Sequence, residues 1–165
     1  MSLVNFRAKN HPQQVAANGA REDTDDRRTP EELWVPLYHE FLFTLDAAAT
    51  EQNTKCEHWC RDGLTEPWGK RRVWCNPPYS DMRAWVDKAW LEWNLGCPLI
   101  VMLAPANRTE QSWWQDRIEH FRDRDHGLTV RFLRGRQRFA RPGWTKPAKG
   151  DRPPFGLCLL IWRAA

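Results

Sequence analysis

A short apolar strand that runs into two consecutive prolines constrains this chain more than any other feature. Arg72-Val73-Trp74-Cys75 has strand composition and is followed by Asn76-Pro77-Pro78-Tyr79. Neither proline can donate a ladder hydrogen bond, and Pro77 holds Asn76 extended, so the strand stops there and presents its polar neighbours in fixed directions. Upstream, Thr29 fits a helix N-cap, Pro30 the first helical position and Glu32 the third, ahead of Leu33, Trp34, Leu37 and Phe41 at helical spacing. Leu42-Phe43-Thr44-Leu45 reads as a strand ending at Asp46, and Ala47-Ala48-Ala49 offers small side chains where another group can approach. Downstream, Trp85, Val86, Ala89, Trp90 and Trp93 recur at helical spacing until Gly96 and Pro98. Leu99 to Leu103 reads as a central strand, Thr109 to about Arg124 as a helix and Leu128 to Leu133 as a strand. Arg134 to Pro154 reads as a hairpin with an extended loop, and Phe155 to Trp162 as the last strand. Such alternation predicts an α/β domain with a mostly parallel sheet flanked by helices, where ligands sit outside the carboxyl ends of the strands. Asp46 and Asn76 to Tyr79 both fall at such ends.

The 165 residues suit one domain. Residues up to about Arg28 are polar and without period, which predicts a mobile arm over 1–28 and a single catalytic domain over 29–165. No apolar run has the length to cross a bilayer, and the first residues lack the apolar middle of a secretory signal, so a cytoplasmic location is expected. The five cysteines form no even framework, as for thiols kept reduced. Cys56-x-His58-x-Cys60 lacks two further ligands at tetrahedral spacing, and no metal is expected. The histidines form no constellation with a Ser or Cys nucleophile, which leaves hydrolase chemistry without support. Most of the eleven tryptophans stand at core spacing, with Trp113 and Trp144 left open as stacking residues.

The net charge of +4 is unevenly spread: from Gly127 onward, nine Lys or Arg stand against one acid, Asp151. A basic carboxyl-terminal segment on a neutral-to-acidic body suits a polyanion approached from one side, or else a solvated basic face. Arg134, Arg136 and Arg138 are the candidates for gripping phosphate.

The chemistry is concentrated in Asn76 to Tyr79. Adenine's exocyclic nitrogen is a poor nucleophile because its lone pair is delocalised into the ring. The Asn76 side-chain oxygen and the Pro77 carbonyl could accept its two hydrogens and draw it toward a nucleophilic state, with Tyr79 stacking on an extruded base. The plain alternative is a Pro-Pro turn with a packing tyrosine.

The tetrapeptide is similar to the signature of amino-methyltransferases, and the chain more specifically resembles the phage DNA N-6-adenine-methyltransferase (Dam-like) family. The likeness runs in order through Arg28-Thr29-Pro30, Phe43 to Ala49, Asn53 with Lys55-Cys56, Asp62-Gly63-Leu64 before Trp68, Val73 to Ser80, Trp85-Val86 with Lys88-Ala89, Leu103 to Ala106, Trp113-Trp114, and Gly135-Arg136 with Phe139. The resemblance implies a Rossmann-like methyltransferase fold, S-adenosylmethionine as cofactor, DNA, most simply double-stranded, as partner, and transfer of a methyl group to adenine N6 with base flipping. It implies catalytic roles for Asn76, Pro77, Pro78 and Tyr79. Thr29 and Pro30 would approach the methionine end of the cofactor, and Asp46 its ammonium, with Ala47 and Ala48 allowing close backbone approach. For Asp46 the alternative is a helix-capping acid, and for Asp62, a candidate for the cofactor's ribose or adenine, it is a turn residue before Gly63.

A glycine-rich Phe-x-Gly-x-Gly loop is absent, and only about 25 residues separate the first strand from the motif strand, so an abridged sheet is expected there. RNA or protein-glutamine methylation could use the same turn, as could a nucleic-acid-binding module without catalysis.

Overall fold

The computed structural model describes residues 28–140 and 155–163. Among them, three helices flank a six-stranded mixed sheet in the order β2-β1-β3-β4-β6-β5. The strands are β1 (Leu45–Asp46), β2 (His58–Trp59), β3 (Arg72–Cys75), β4 (Leu99–Pro105), β5 (Leu128–Phe132) and β6 (Leu157–Arg163). β2, β1, β3 and β4 run parallel, and β6 lies antiparallel between β4 and β5. This is the expected α/β architecture with a mostly parallel core.

Both faces of the central strands are buried, which explains their near-continuous apolar sequence. Val73, Cys75, Ile100, Met102, Cys158, Leu160 and Trp162 face one core, which α2 (Met82–Asn94) covers with Met82, Trp85, Val86 and Ala89. Trp74, Leu99, Val101, Leu103, Leu157, Leu159 and Ile161 alternate with them and face the other core, covered by Leu33, Trp34, Leu37 and Phe41 of α1 (Glu31–Phe41). The third helix, α3, is a single turn (Ser112–Trp114) continued by a π-helical stretch (Gln115–Glu119), and it adds Trp113, Trp114 and Ile118 to the α2 side.

Several boundaries differ from the sequence expectation. Pro30, not Thr29, is the N-cap of α1; its ψ of 147° is extended, and no side chain caps the helix. Pro30 also keeps Thr29 out of the helical region, which frees the threonine hydroxyl for a partner elsewhere. Leu42 is not strand but the left-handed C-cap of α1 (φ 50°), and its amide donates to the Tyr38 carbonyl at 2.7 Å. The β1 ladder therefore starts later, although Thr44 and Ala47 extend it by donating to Arg72 and Trp74. The predicted helix Thr109–Arg124 contracts to α3, and β2 escaped the sequence reading because two residues carry no period. The described chain between β1 and β3 contains β2 and turns but no helix, so the sheet is not abridged there as expected: it keeps an edge strand, and the helical connection is what is shortened. Of the arm predicted over 1–28, only Arg28 lies within the described residues, and it forms a bridge with Ala140. Trp144 and the loop carrying Lys146, Lys149 and Arg152 lie outside them.

Candidate active site

Asp46 and Asn76 end adjacent parallel strands. Asp46 pairs in register with Trp74, and the Ala47 amide donates to the Trp74 carbonyl at 2.9 Å, so Asn76 lies two residues beyond the partner of Asp46. Alternation of side chains then directs Asp46, Trp74 and Asn76 to the α1 face. There Thr29, buried just ahead of α1, accepts a hydrogen bond from Asn76 Nδ2 at 3.2 Å. The Thr29 contact fixes the plane of the Asn76 amide. Of the turn itself, Pro77 is buried, Asn76, Pro78 and Tyr79 are half-buried, and a short 3-10 helix (Tyr79–Asp81) leads into α2.

Asp46 is buried, and its two oxygens have different surroundings. Oδ2 accepts from the Lys55 amide at 3.0 Å, whereas Oδ1 has no hydrogen-bond partner among the described residues. Burial raises its pKa from 3.8 to about 6, against the opposing pull of the Lys55 amide and, less strongly, the Ala48 amide. A buried carboxylate oxygen without a donor is a costly arrangement, and a cationic ligand group would relieve it. Beside it, the Lys55 side chain is only 3% exposed and its Nζ is paired with Glu31 at the start of α1. Desolvation pushes the Lys55 amine below its ordinary value.

On the opposite face, Gly63 presses against the residue after Asp46. A Cβ at Gly63 would lie 1.8 Å from the Ala47 carbonyl oxygen, so only glycine fits there. Asp62 behaves as a turn residue: Oδ1 accepts from the Leu64 amide at 3.1 Å, and its own amide donates to Glu66. The loop is held from α2. Glu92 accepts from the Trp68 amide at 3.0 Å and from Lys88 Nζ at 2.6 Å, and the Trp68 indole donates to the Gly63 carbonyl at 2.9 Å. Lys88 and Glu92 are both buried; their place in the resemblance named Lys88 but not the partner that gives it a role.

Tyr79 packs against Phe155 with ring centroids 6.1 Å apart. Its residue surface is half exposed, but the hydroxyl is buried without a partner, and desolvation pushes its pKa well above the usual tyrosine value. Cys56 and Cys60 flank β2 but serve different cores, Cys60 the α2 side and Cys56 the α1 side, which separates the two thiols of the possible metal cluster.

The basic segment reaches this site through the backbone. Ala140 donates to the Arg28 carbonyl at 3.2 Å, which places Arg134 to Arg138 on the chain that approaches Thr29. Arg134 and Arg136 are exposed, and Arg138 is half-buried with an unpartnered Nε. Two other basic residues of the segment are committed to structure. Arg131 forms a bidentate pair with Glu40 at 2.6 and 2.7 Å, and Arg163 lies 5.1 Å over the Phe41 ring.

The sequence profile of the DNA N-6-adenine-methyltransferase (Dam) family matches residues 16–164. The chain belongs to this family. Similar proteins include the DNA N-6-adenine-methyltransferase of Haemophilus phage HP1 (strain HP1c1), 35% identical over 94 residues that cover 53% of this chain and 53% of that protein. The protein of the same name from Escherichia phage T1 is 37% identical over 93 residues, covering 53% of this chain and 38% of that protein. The chain thus spans about half the length of the first relative and less of the second. The family match begins at residue 16, inside the segment that composition alone assigned to an arm. No described helix is long and apolar enough to cross a membrane.

Proposed function

We propose that this chain transfers a methyl group from S-adenosylmethionine to the exocyclic N6 of adenine in DNA. The observation that carries the reading is the juxtaposition, at the ends of adjacent strands, of a buried acid with an orphaned oxygen and an Asn-Pro-Pro-Tyr turn whose amide plane is already fixed.

The residues fit the cofactor. Asp46 Oδ1 lacks a donor, and an ammonium group would supply it; Ala47 and Ala48 follow it in the chain, and Thr29, next to Pro30, meets Asn76 at the end of the adjacent strand. Asp62, exposed and already accepting from the Leu64 amide in its turn, is the candidate acceptor for ribose hydroxyls. When bound, S-adenosylmethionine supplies an electrophilic methyl group on a sulfonium. The chain's own contribution is to position and polarise the acceptor. Thr29 takes one hydrogen of the Asn76 amide, which turns the amide oxygen away from Thr29 and toward an entering base. That oxygen and the Pro77 carbonyl accept the hydrogens of the adenine amine, reduce delocalisation of its lone pair, and so raise its nucleophilicity without a strong base. The Tyr79 ring, backed by Phe155, stacks on the flipped base. Arg134, Arg136 and Arg138 hold the phosphate backbone, on the strand of chain tied to Arg28.

The test is incubation with methyl-labelled cofactor and separate pools of DNA, RNA and protein, followed by digestion and identification of the labelled product. N6-methyladenine from DNA is expected. Label confined to RNA or to glutamine, or no transfer despite cofactor binding, would overturn the reading.

A further inference from the structure

Next to Asp46 lies a second charged group with no place in the reading above. The Lys55 amide donates to Asp46 Oδ2 at 3.0 Å, so backbone connectivity keeps the Lys55 side chain close to the carboxylate. That side chain is 3% exposed, whereas the Glu31 carboxylate it pairs with is 63% exposed. A buried lysine matched to a surface carboxylate is poorly compensated, because an exposed partner is screened by water and contributes little. Arg28 completes the group: its guanidinium lies 3.9 Å from the same Glu31, and its Nε is buried without a partner. The charged groups facing Lys55 are thus Arg28, Glu31 and Asp46.

One strand end therefore holds an acid with one oxygen lacking a donor and, beside it, a cation paired with a surface carboxylate. An α-amino acid carries its ammonium and its carboxylate on one carbon, so a receptor for it needs opposite charges side by side. We propose that Lys55, assisted by Arg28, binds the carboxylate of the cofactor's amino-acid end while Asp46 binds the ammonium. This rests on the cofactor reading above. Glu31, which pairs with Lys55, is exposed and swings into solvent when a carboxylate enters.

Calorimetry on the full chain tests this with two probes, S-adenosylhomocysteine and its decarboxylated form, which keeps the amine but lacks the carboxylate. The parent protein is expected to favour the carboxylate-bearing probe by roughly 10- to 100-fold, the scale of a hydrogen bond to a charged group. Lys55→Met should remove that preference by weakening S-adenosylhomocysteine alone, whereas Asp46→Asn should weaken both probes. Glu31→Gln should bind S-adenosylhomocysteine at least as tightly as the parent. Equal affinity of the parent for the two probes, equal losses for both in Lys55→Met, or a loss in Glu31→Gln matching that of Lys55→Met would each overturn the proposal and leave the cofactor reading standing. Failure of the parent to bind either probe would overturn the cofactor reading as well.

Discussion

Asp46 carries a cost in the ligand-free protein that its proposed role explains. Its folded pKa of about 6 lies above the ordinary 3.8, so the folded chain binds this proton more tightly than the unfolded one. The corresponding stability is fully present below pH 3.8 and is lost as pH rises through about 6. At neutral pH the ionised, buried carboxylate is then a liability on the order of 3 kcal/mol. Asp46→Asn removes the charge and keeps an acceptor for the Lys55 amide. It should stabilise the ligand-free protein at pH 8 in urea unfolding, with the gain shrinking below pH 6, while cofactor affinity falls. Destabilisation at pH 8 would show that the carboxylate is a structural group. Asp46 and Asn76 were legible as candidates because each ends an apolar strand, one at an alanine run and the other at two prolines. Thr29 was legible as a residue but not in its hydrogen bonding. The sequence supports an N-cap, and only the fold shows that Pro30 takes the cap while the hydroxyl meets Asn76, 47 residues away.

At the scale of elements, the strand end carrying Asp46 is braced from α2. The buried Lys88–Glu92 pair holds Trp68, Trp68 holds the Gly63 carbonyl, and Gly63 abuts Ala47. Gly63→Ala drives a Cβ into the Ala47 carbonyl, and backbone on both sides must shift. A stability loss of about 1–3 kcal/mol is expected, as for overpacking elsewhere, read as a lower urea midpoint with an unchanged slope, together with weakened cofactor binding. Wild-type stability and affinity would show that the contact is loose. The strands β3, β4 and β6 could be read from sequence because continuous apolar runs of three to seven residues, the shortest of them closed by two prolines, leave little ambiguity. β1, β2 and α3 could not be bounded. Two-residue strands have no period, and α3 leaves α-helical geometry after Trp114, so its apolar spacing overstated its length. The strut itself was invisible, since a lysine and a glutamate four apart on a helix read as a surface pair.

For the whole molecule, charge distribution and the site point the same way once structural arginines are set aside. Arg131 is neutralised by Glu40 and Arg163 rests on Phe41, which leaves Arg134 and Arg136, among the described residues, as the exposed cations on the chain leading to Arg28. Replacing either by Ala should weaken DNA binding for all sequences alike and reduce the log-affinity against log-salt slope by about 0.9 per lost phosphate contact. An unchanged slope in both would make this segment a solvated face. Whether the Asn76 turn polarises the target amine while Asp46 serves the cofactor is decided by Asn76→Ala. Methyl transfer to DNA and calorimetric affinity for S-adenosylhomocysteine would be measured on the same preparation. The account predicts transfer reduced by at least about 100-fold, the scale of one lost oxyanion-type contact, with affinity within about twofold of the parent. Undiminished transfer, or a matching loss of cofactor affinity, would contradict it.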